Sequence, residues 1–96
     1  MAQSDYCQHL LISGKVQGVW YRDSTRKQAE SLGVNGWVRN LDDGRVEALM
    51  QGEQRSVEAL ISWCHDGPAR ARVDEIVRQA CPLDEEEPYE GFEVRR

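Results

Sequence analysis

Two short strand-like runs, 37–41 and 45–51, meet across Asp42-Asp43-Gly44, and this junction constrains the fold more than any other stretch of the chain. Asp-Gly between such runs is a strong hairpin signal, because the tight turns that match strand twist require positive φ at their central positions. In the second run Val46, Ala48 and Met50 alternate towards one face. An antiparallel pair with one apolar face therefore stands near mid-chain, and the segments on either side must cover it.

Both flanks carry helical spacing. Tyr21, Thr25, Ala29 and Leu32 recur at intervals of four, four and three, and Gly33 sits where a C-terminal cap belongs. Val57, Leu60, Ile61 and Cys64 fall at i, i+3, i+4 and i+7, with His65-Asp66-Gly67-Pro68 as the stop. Residues 6–12 read as a first strand, closed by Gly14, in which Leu10 and Ile12 share a face. Residues 73–80 read as a fourth, and the irregular spacing of Val73, Ile76 and Val77 suggests a bulge. Pro82 ends that strand, 83–90 reads as an acidic solvated loop, and Phe92 and Val94 alternate with charges in a short closing strand. The order β-α-β-β-α-β plus one strand predicts an α+β fold, a ferredoxin-like sandwich whose antiparallel sheet carries two helices on one face. Ninety-six residues suit a single domain over 1–96. Such a fold serves enzymes, RNA-binding modules and small-molecule sensors alike, so function must be read from a site.

Twelve basic against seventeen acidic residues give a net charge of -5, which opposes bulk attraction to nucleic acid or an anionic membrane. The charge is uneven: Lys15, Arg22, Arg26 and Lys27 cluster with one acid, Asp23, among them. Cys7, Cys64 and Cys81 are widely spaced and odd in number, forming neither a zinc pattern nor a self-contained disulfide framework. Reduced, buried thiols are the expectation; one bridge among the three stays open, because spacing does not choose it. Residues 1–5 lack the basic start and apolar core of a signal peptide, and no run approaches transmembrane length, so a cytoplasmic address is expected. His9 in a strand and His65 at a helix stop read as packing or surface residues, and Trp37 and Trp63 as core or rim area.

The basic cluster coincides with a glycine-bracketed loop, Ile12-Ser13-Gly14-Lys15-Val16-Gln17-Gly18-Val19-Trp20-Tyr21-Arg22, between the first strand and the first helix. Gly14 and Gly18 allow bends and close approach of backbone to a ligand. Successive loop amides, the unpaired amides of a helix starting near Tyr21 and the positive end of its dipole would together favour phosphate. Arg22 adds a planar fork able to hold two phosphate oxygens. The loop lacks the Gly-Lys-Ser/Thr ending of a nucleotide P-loop and is not G-x-G-x-x-G. By spacing alone it reads more readily as a strand-to-helix connection kept short by glycine.

A second pattern decides between these readings. Ile12, Gly14, Val16, Gln17, Gly18, Val19, Tyr21 and Arg22, followed by Gly36, Trp37, Val38, Asn40, Gly44, Val46 and Gly52, match the two signatures of the acylphosphatase family in order and separation. The chain resembles that family through both helices to about Arg72 and again at Phe92-Glu93-Val94. Tyr21 departs from it, since phenylalanine is usual there, and its hydroxyl is expected at a packing edge. Trp20 falls on a position that the family leaves variable.

The resemblance implies metal-independent, cofactor-free hydrolysis of small acyl phosphates to a carboxylate and inorganic phosphate. Arg22 with the loop amides of Gln17, Gly18, Val19, Trp20, Tyr21 and Arg22 would bind the phosphoryl group, and Asn40 would orient the attacking water. Elementary chemistry agrees. A loose phosphoryl-transfer transition state needs its oxygens held and its nucleophile in line. A carboxylate leaving group, with a conjugate acid of pKa about 4, departs already charged and needs no protein acid. The partners expected are the acyl phosphate and phosphate alone, with no nucleic acid or membrane, acting on a monomer. The alternative is a non-catalytic ferredoxin-like module that binds a phosphorylated ligand or nucleic acid without turnover.

Overall fold

In the computed structural model, which describes residues 6–81 and 89–95, the elements run β1 (Tyr6–Lys15), α1 (Tyr21–Leu32), β2 (Asn35–Asn40), β3 (Val46–Gly52), α2 (Gln54–Asp66), β4 (Arg72–Ala80) and β5 (Phe92–Arg95). The expected break at Pro82 and most of the acidic stretch over 83–90 lie outside the described residues. Every expected element is present, with β1 three residues longer than its apolar run.

The strands form one sheet in the order β4-β1-β3-β2-β5. Neighbouring pairs are antiparallel except the last, where β5 runs parallel to β2 with Val94 opposite Val38. The sheet is thus mixed at one edge, where the sequence predicted antiparallel pairing throughout. Alternation cannot reveal this, because a strand shows the same period in either direction. The expected bulge is present: the partners of β1 shift from Ser13–Glu75 to Gly14–Val73, leaving Asp74 as the extra residue of β4.

Leu10, Ala48, Val38 and Val94 form one cross-strand row on the helix-bearing face, and Ile12, Val46 and Asn40 form the next. Leu10, Ile12, Val38, Val46, Ala48 and Met50 are completely buried beneath Ala29 of α1 and Val57, Leu60 and Cys64 of α2. Burial of each such aliphatic side chain stabilises the fold by about 1.5–3 kcal/mol. An apolar row on a strand has therefore come to end in an asparagine at the margin of the core.

The opposite face is less bare than an open sheet. His9, Leu49 and Trp37 stand side by side, with Leu49 wholly buried. The guanidinium groups of Arg39 and Arg95 lie 5.6 and 4.8 Å from the Trp37 ring centroid, within cation–π range. Glu47 bridges His9 at 2.7 Å and Arg39 at 2.6 Å. Burial pushes this carboxyl upward, but the two hydrogen bonds outweigh it and hold Glu47 below the usual carboxylate range.

Cys7 and Cys81 are joined by a disulfide, with Cα atoms 5.9 Å apart. This corrects the expectation of three reduced thiols. Register explains the pairing, for Gln8 lies opposite Ala80, and the antiparallel β1–β4 pair brings the two adjoining cysteines together. Only Cys64 fits the expected description. It is free and buried, and burial pushes its thiol up to about 12.

Candidate active site

A cleft opens where β1 gives way to α1. Val16 and Val19 are buried and tie the connecting loop to the core. Between them the Gln17 amide nitrogen donates to the carbonyl oxygens of Leu41, at 2.8 Å, and Arg45, at 2.9 Å. Those carbonyls flank the β2–β3 turn, so one side chain fixes the loop relative to the end of β2.

The two glycines of this stretch have different duties. Gly14 lies within β1, and a Cβ there would stand 2.1 Å from the carbonyl oxygen of Arg72. Glycine is required at Gly14 by the close approach of β4 at the bulge, so the ligand-cradling role expected for it gives way to a role in sheet packing. At Gly18 φ is +74° and a Cβ would meet nothing within 4 Å among the described residues, so backbone conformation rather than crowding sets the residue type. Trp20 follows in the left-handed region at φ 66°, ψ 20°, a conformation that bulky residues rarely take.

Trp20 is also the N-cap of α1, and among the described residues no side chain caps this helix start. The first helical hydrogen bond runs from the Ser24 amide to the Trp20 carbonyl, at 2.9 Å, so the amides of residues 21–23 precede the intrahelical ladder. An anion at this end would meet those amides and the positive end of the helix dipole. Arg22 stands in the first turn, where its own charge opposes the dipole. Its Nη1 donates to the Arg95 carbonyl at 3.2 Å. The adjacent Asp23 is engaged by Arg26 at 2.8 Å and Lys27 at 3.5 Å, and the Arg26 hydrogen bond holds its carboxyl below the ordinary range. Among the described residues Arg22 forms no ion pair, and it lines the cleft beside Asp23, whose carboxylate is already engaged by Arg26 and Lys27.

Asn40 enters from the other side. It ends β2 in register with Val46, on the helix-bearing face. Its Oδ1 is a buried side-chain atom without a hydrogen-bond partner among the described residues, an arrangement that ordinarily costs about 1–3 kcal/mol. An amide oxygen in that position can accept a hydrogen bond from a water but cannot act as a strong base.

The cleft measures about 570 Å³. Of the residues singled out in the sequence, Gly18, Trp20, Tyr21, Arg22 and Asn40 line it, whereas the side chains of Gln17 and Val19 point to the hairpin and the core. Tyr21 departs from expectation in another way. It is buried rather than at an edge, and its hydroxyl donates to the Cys64 carbonyl at 2.7 Å, joining the start of α1 to the last turns of α2. Burial raises the phenol far above its ordinary pKa, so this group remains a donor. The sequence did not single out Asp23, Arg26 or Val94 as lining residues. Arg26 is detectable as i+4 from Arg22, while Val94 required the parallel pairing of β5 with β2.

A family model for acylphosphatase matches residues 8–94. The chain belongs to the acylphosphatase family. Among its relatives, an acylphosphatase from Marinobacter nauticus is 58% identical over 78 residues, covering 81% of this chain and 85% of that protein. One from Haloarcula marismortui is 51% identical over 87 residues, covering 91% and 92% respectively. The solved acylphosphatase of Coxiella burnetii superposes with a TM-score of 0.88 at 41% identity, covering 99% of this chain and all of that one. In this acylphosphatase-family chain both signatures contribute to the lining of one cleft, the first through Val16, Gly18, Tyr21 and Arg22 and the second through Asn40.

Proposed function

We infer that this chain hydrolyses the carboxyl–phosphate bond of acyl phosphates. The observation that carries the mechanism is the meeting in one cleft of Arg22, which forms no ion pair among the described residues, and Asn40 Oδ1, which has no hydrogen-bond partner among them. Arg22 and the amides of the Gln17–Arg22 loop bind the phosphoryl oxygens. Asn40 holds a water in line with the bond to be broken. A P–O bond forms from that water as the bond to the carboxyl oxygen breaks, and the acyl group leaves as a carboxylate with the bonding electron pair. One water proton passes to a phosphate oxygen, so no protein base is needed. Positioning and charge neutralisation supply the rate, as a loose phosphoryl transition state requires.

Arg22 and the helix dipole provide the positive charge in this scheme, which predicts turnover in the presence of a chelator. We read residues 1–96 as one domain working as a monomer on a small substrate, without nucleic acid or membrane partners. Among the described residues no helix is long and apolar enough to cross a membrane. The cytoplasmic address and the Cys7–Cys81 bridge pull apart, since such bonds are rare in reducing compartments. Alkylation of thiols in acid-quenched cells distinguishes the two states: one modified cysteine marks the bridged form and three the reduced form.

The decisive assay is phosphate release from benzoyl phosphate. Replacing Arg22 by Ala is expected to lower kcat/KM by about 10³-fold, and Asn40→Ala by about 10²-fold, with circular dichroism unchanged. Wild-type rates in either folded variant would overturn the mechanism.

A further inference from the structure

The hydrolytic chemistry accounts for Arg22, Asn40 and the loop amides, but not for the apolar side of the cleft. Trp20 is 78% exposed and Val94 is 37% exposed, and both line the cavity. The left-handed backbone at Trp20 would suit Gly or Asn, so the loop conformation gives no reason for an indole there. The tryptophan adds a large apolar surface at the mouth of the cleft and contributes nothing to the buried core.

The size and direction of the cleft give this surface a use. A cavity of about 570 Å³ exceeds the needs of a phosphoryl group, given that a water occupies about 30 Å³. Asn40 Oδ1 is buried, so a water held there approaches phosphorus from the floor. In-line displacement then directs the acyl group away from that floor, towards the open side where Trp20 stands.

Resting on the hydrolytic reading above, we propose that Trp20, assisted by Val94, is a specificity-determining contact for the acyl group and favours acyl phosphates with an aromatic or other large apolar acyl moiety. The indole offers a face for stacking or edge contact, and an acyl group placed against it removes apolar surface of both partners from water. A methyl group as small as that of acetyl phosphate gains little from the same contact. Trp20 takes no part in the bond-breaking step, so its contribution falls mainly on KM.

The test compares kcat/KM for benzoyl phosphate and acetyl phosphate in the wild type, Trp20→Gly, Trp20→Asn and Trp20→Phe. Gly and Asn keep the left-handed backbone accessible, and circular dichroism checks folding. The benzoyl-to-acetyl ratio is expected to fall about tenfold in Trp20→Gly and Trp20→Asn, through a raised KM for benzoyl phosphate, and to recover most of its value in Trp20→Phe. A ratio unchanged within twofold, or equal losses on both substrates, would assign the residue to loop shape and overturn the proposal. A wild-type chain that releases phosphate from neither substrate would instead defeat the hydrolytic reading and the preference with it.

Discussion

The two β-to-α junctions of this fold solve the same connection differently. Between β3 and α2 there is one residue, Glu53, in ordinary extended conformation, and the helix begins at once. Between β1 and α1 there are five, residues 16–20, two of them in the left-handed region. Among the described residues neither helix start has a side-chain cap, so missing caps alone do not make a site. The first junction is four residues longer, and its residues Val16, Gly18 and Trp20 line the cleft together with the start of α1. One half of the sandwich thus packs the sheet while the other also leaves a helix terminus at an open cleft.

The largest contrast should come from the loop backbone. Gly18→Val forces a β-branched side chain onto a φ of +74°, and kcat/KM for benzoyl phosphate is expected to fall about 10²-fold. At the other junction, Glu53→Val keeps a backbone that any residue adopts, and activity should remain within twofold. Equal losses would show that the two junctions are not functionally distinct. A smaller effect is expected from Gln17→Leu, which strips the carbonyls of Leu41 and Arg45 of a shared donor. Activity should fall about tenfold and stability by about 1–2 kcal/mol, measured by urea unfolding. Loss of stability with unchanged activity would mean that the hairpin needs no such tether to hold Asn40 in place.

The smallest contrast is electrostatic. Glu58 of α2 is held below the usual carboxylate range by hydrogen bonds from Arg78 of β4 and Tyr6 of β1, joining three elements. Asp23 of α1 is lowered chiefly by Arg26 within its own helix. A carboxyl whose folded pKa is depressed stabilises the fold above its unfolded pKa, and that contribution is lost as pH falls through the folded value. Thermal unfolding temperatures should therefore decline below about pH 4. Glu58→Gln should flatten that decline more than Asp23→Asn does, and the reverse order would place the acid-sensitive contact in α1.

Much of this organisation is written locally. The hairpin at Asp42-Asp43-Gly44, the helical spacing from Tyr21 to Leu32 and the glycine cap at Gly33 each depend on neighbours in sequence, and each appears where the residues indicate. Arg22 and Asn40 were identifiable because their motifs fix them to a helix start and a strand end, and the fold brings those two ends to one cleft. What escaped depended on contacts across the sheet. Gly14 owes its identity to the Arg72 carbonyl, Cys7 its bridge to the β1–β4 register, and Tyr21 its hydroxyl to a carbonyl 43 positions away. No periodicity encodes a partner on another element.

The Arg22–Arg95 hydrogen bond links the site to a strand of only four residues at the sheet margin. Edge strands of this length open by local fluctuation, at a lower free energy than global unfolding. When β5 detaches, the Arg22 fork loses its carbonyl anchor and the cleft loses the Val94 wall together. The fraction of molecules competent to bind substrate is therefore expected to follow the amide-exchange protection of Phe92–Arg95 rather than that of the core, and heating should silence the protein while most of its sheet remains intact.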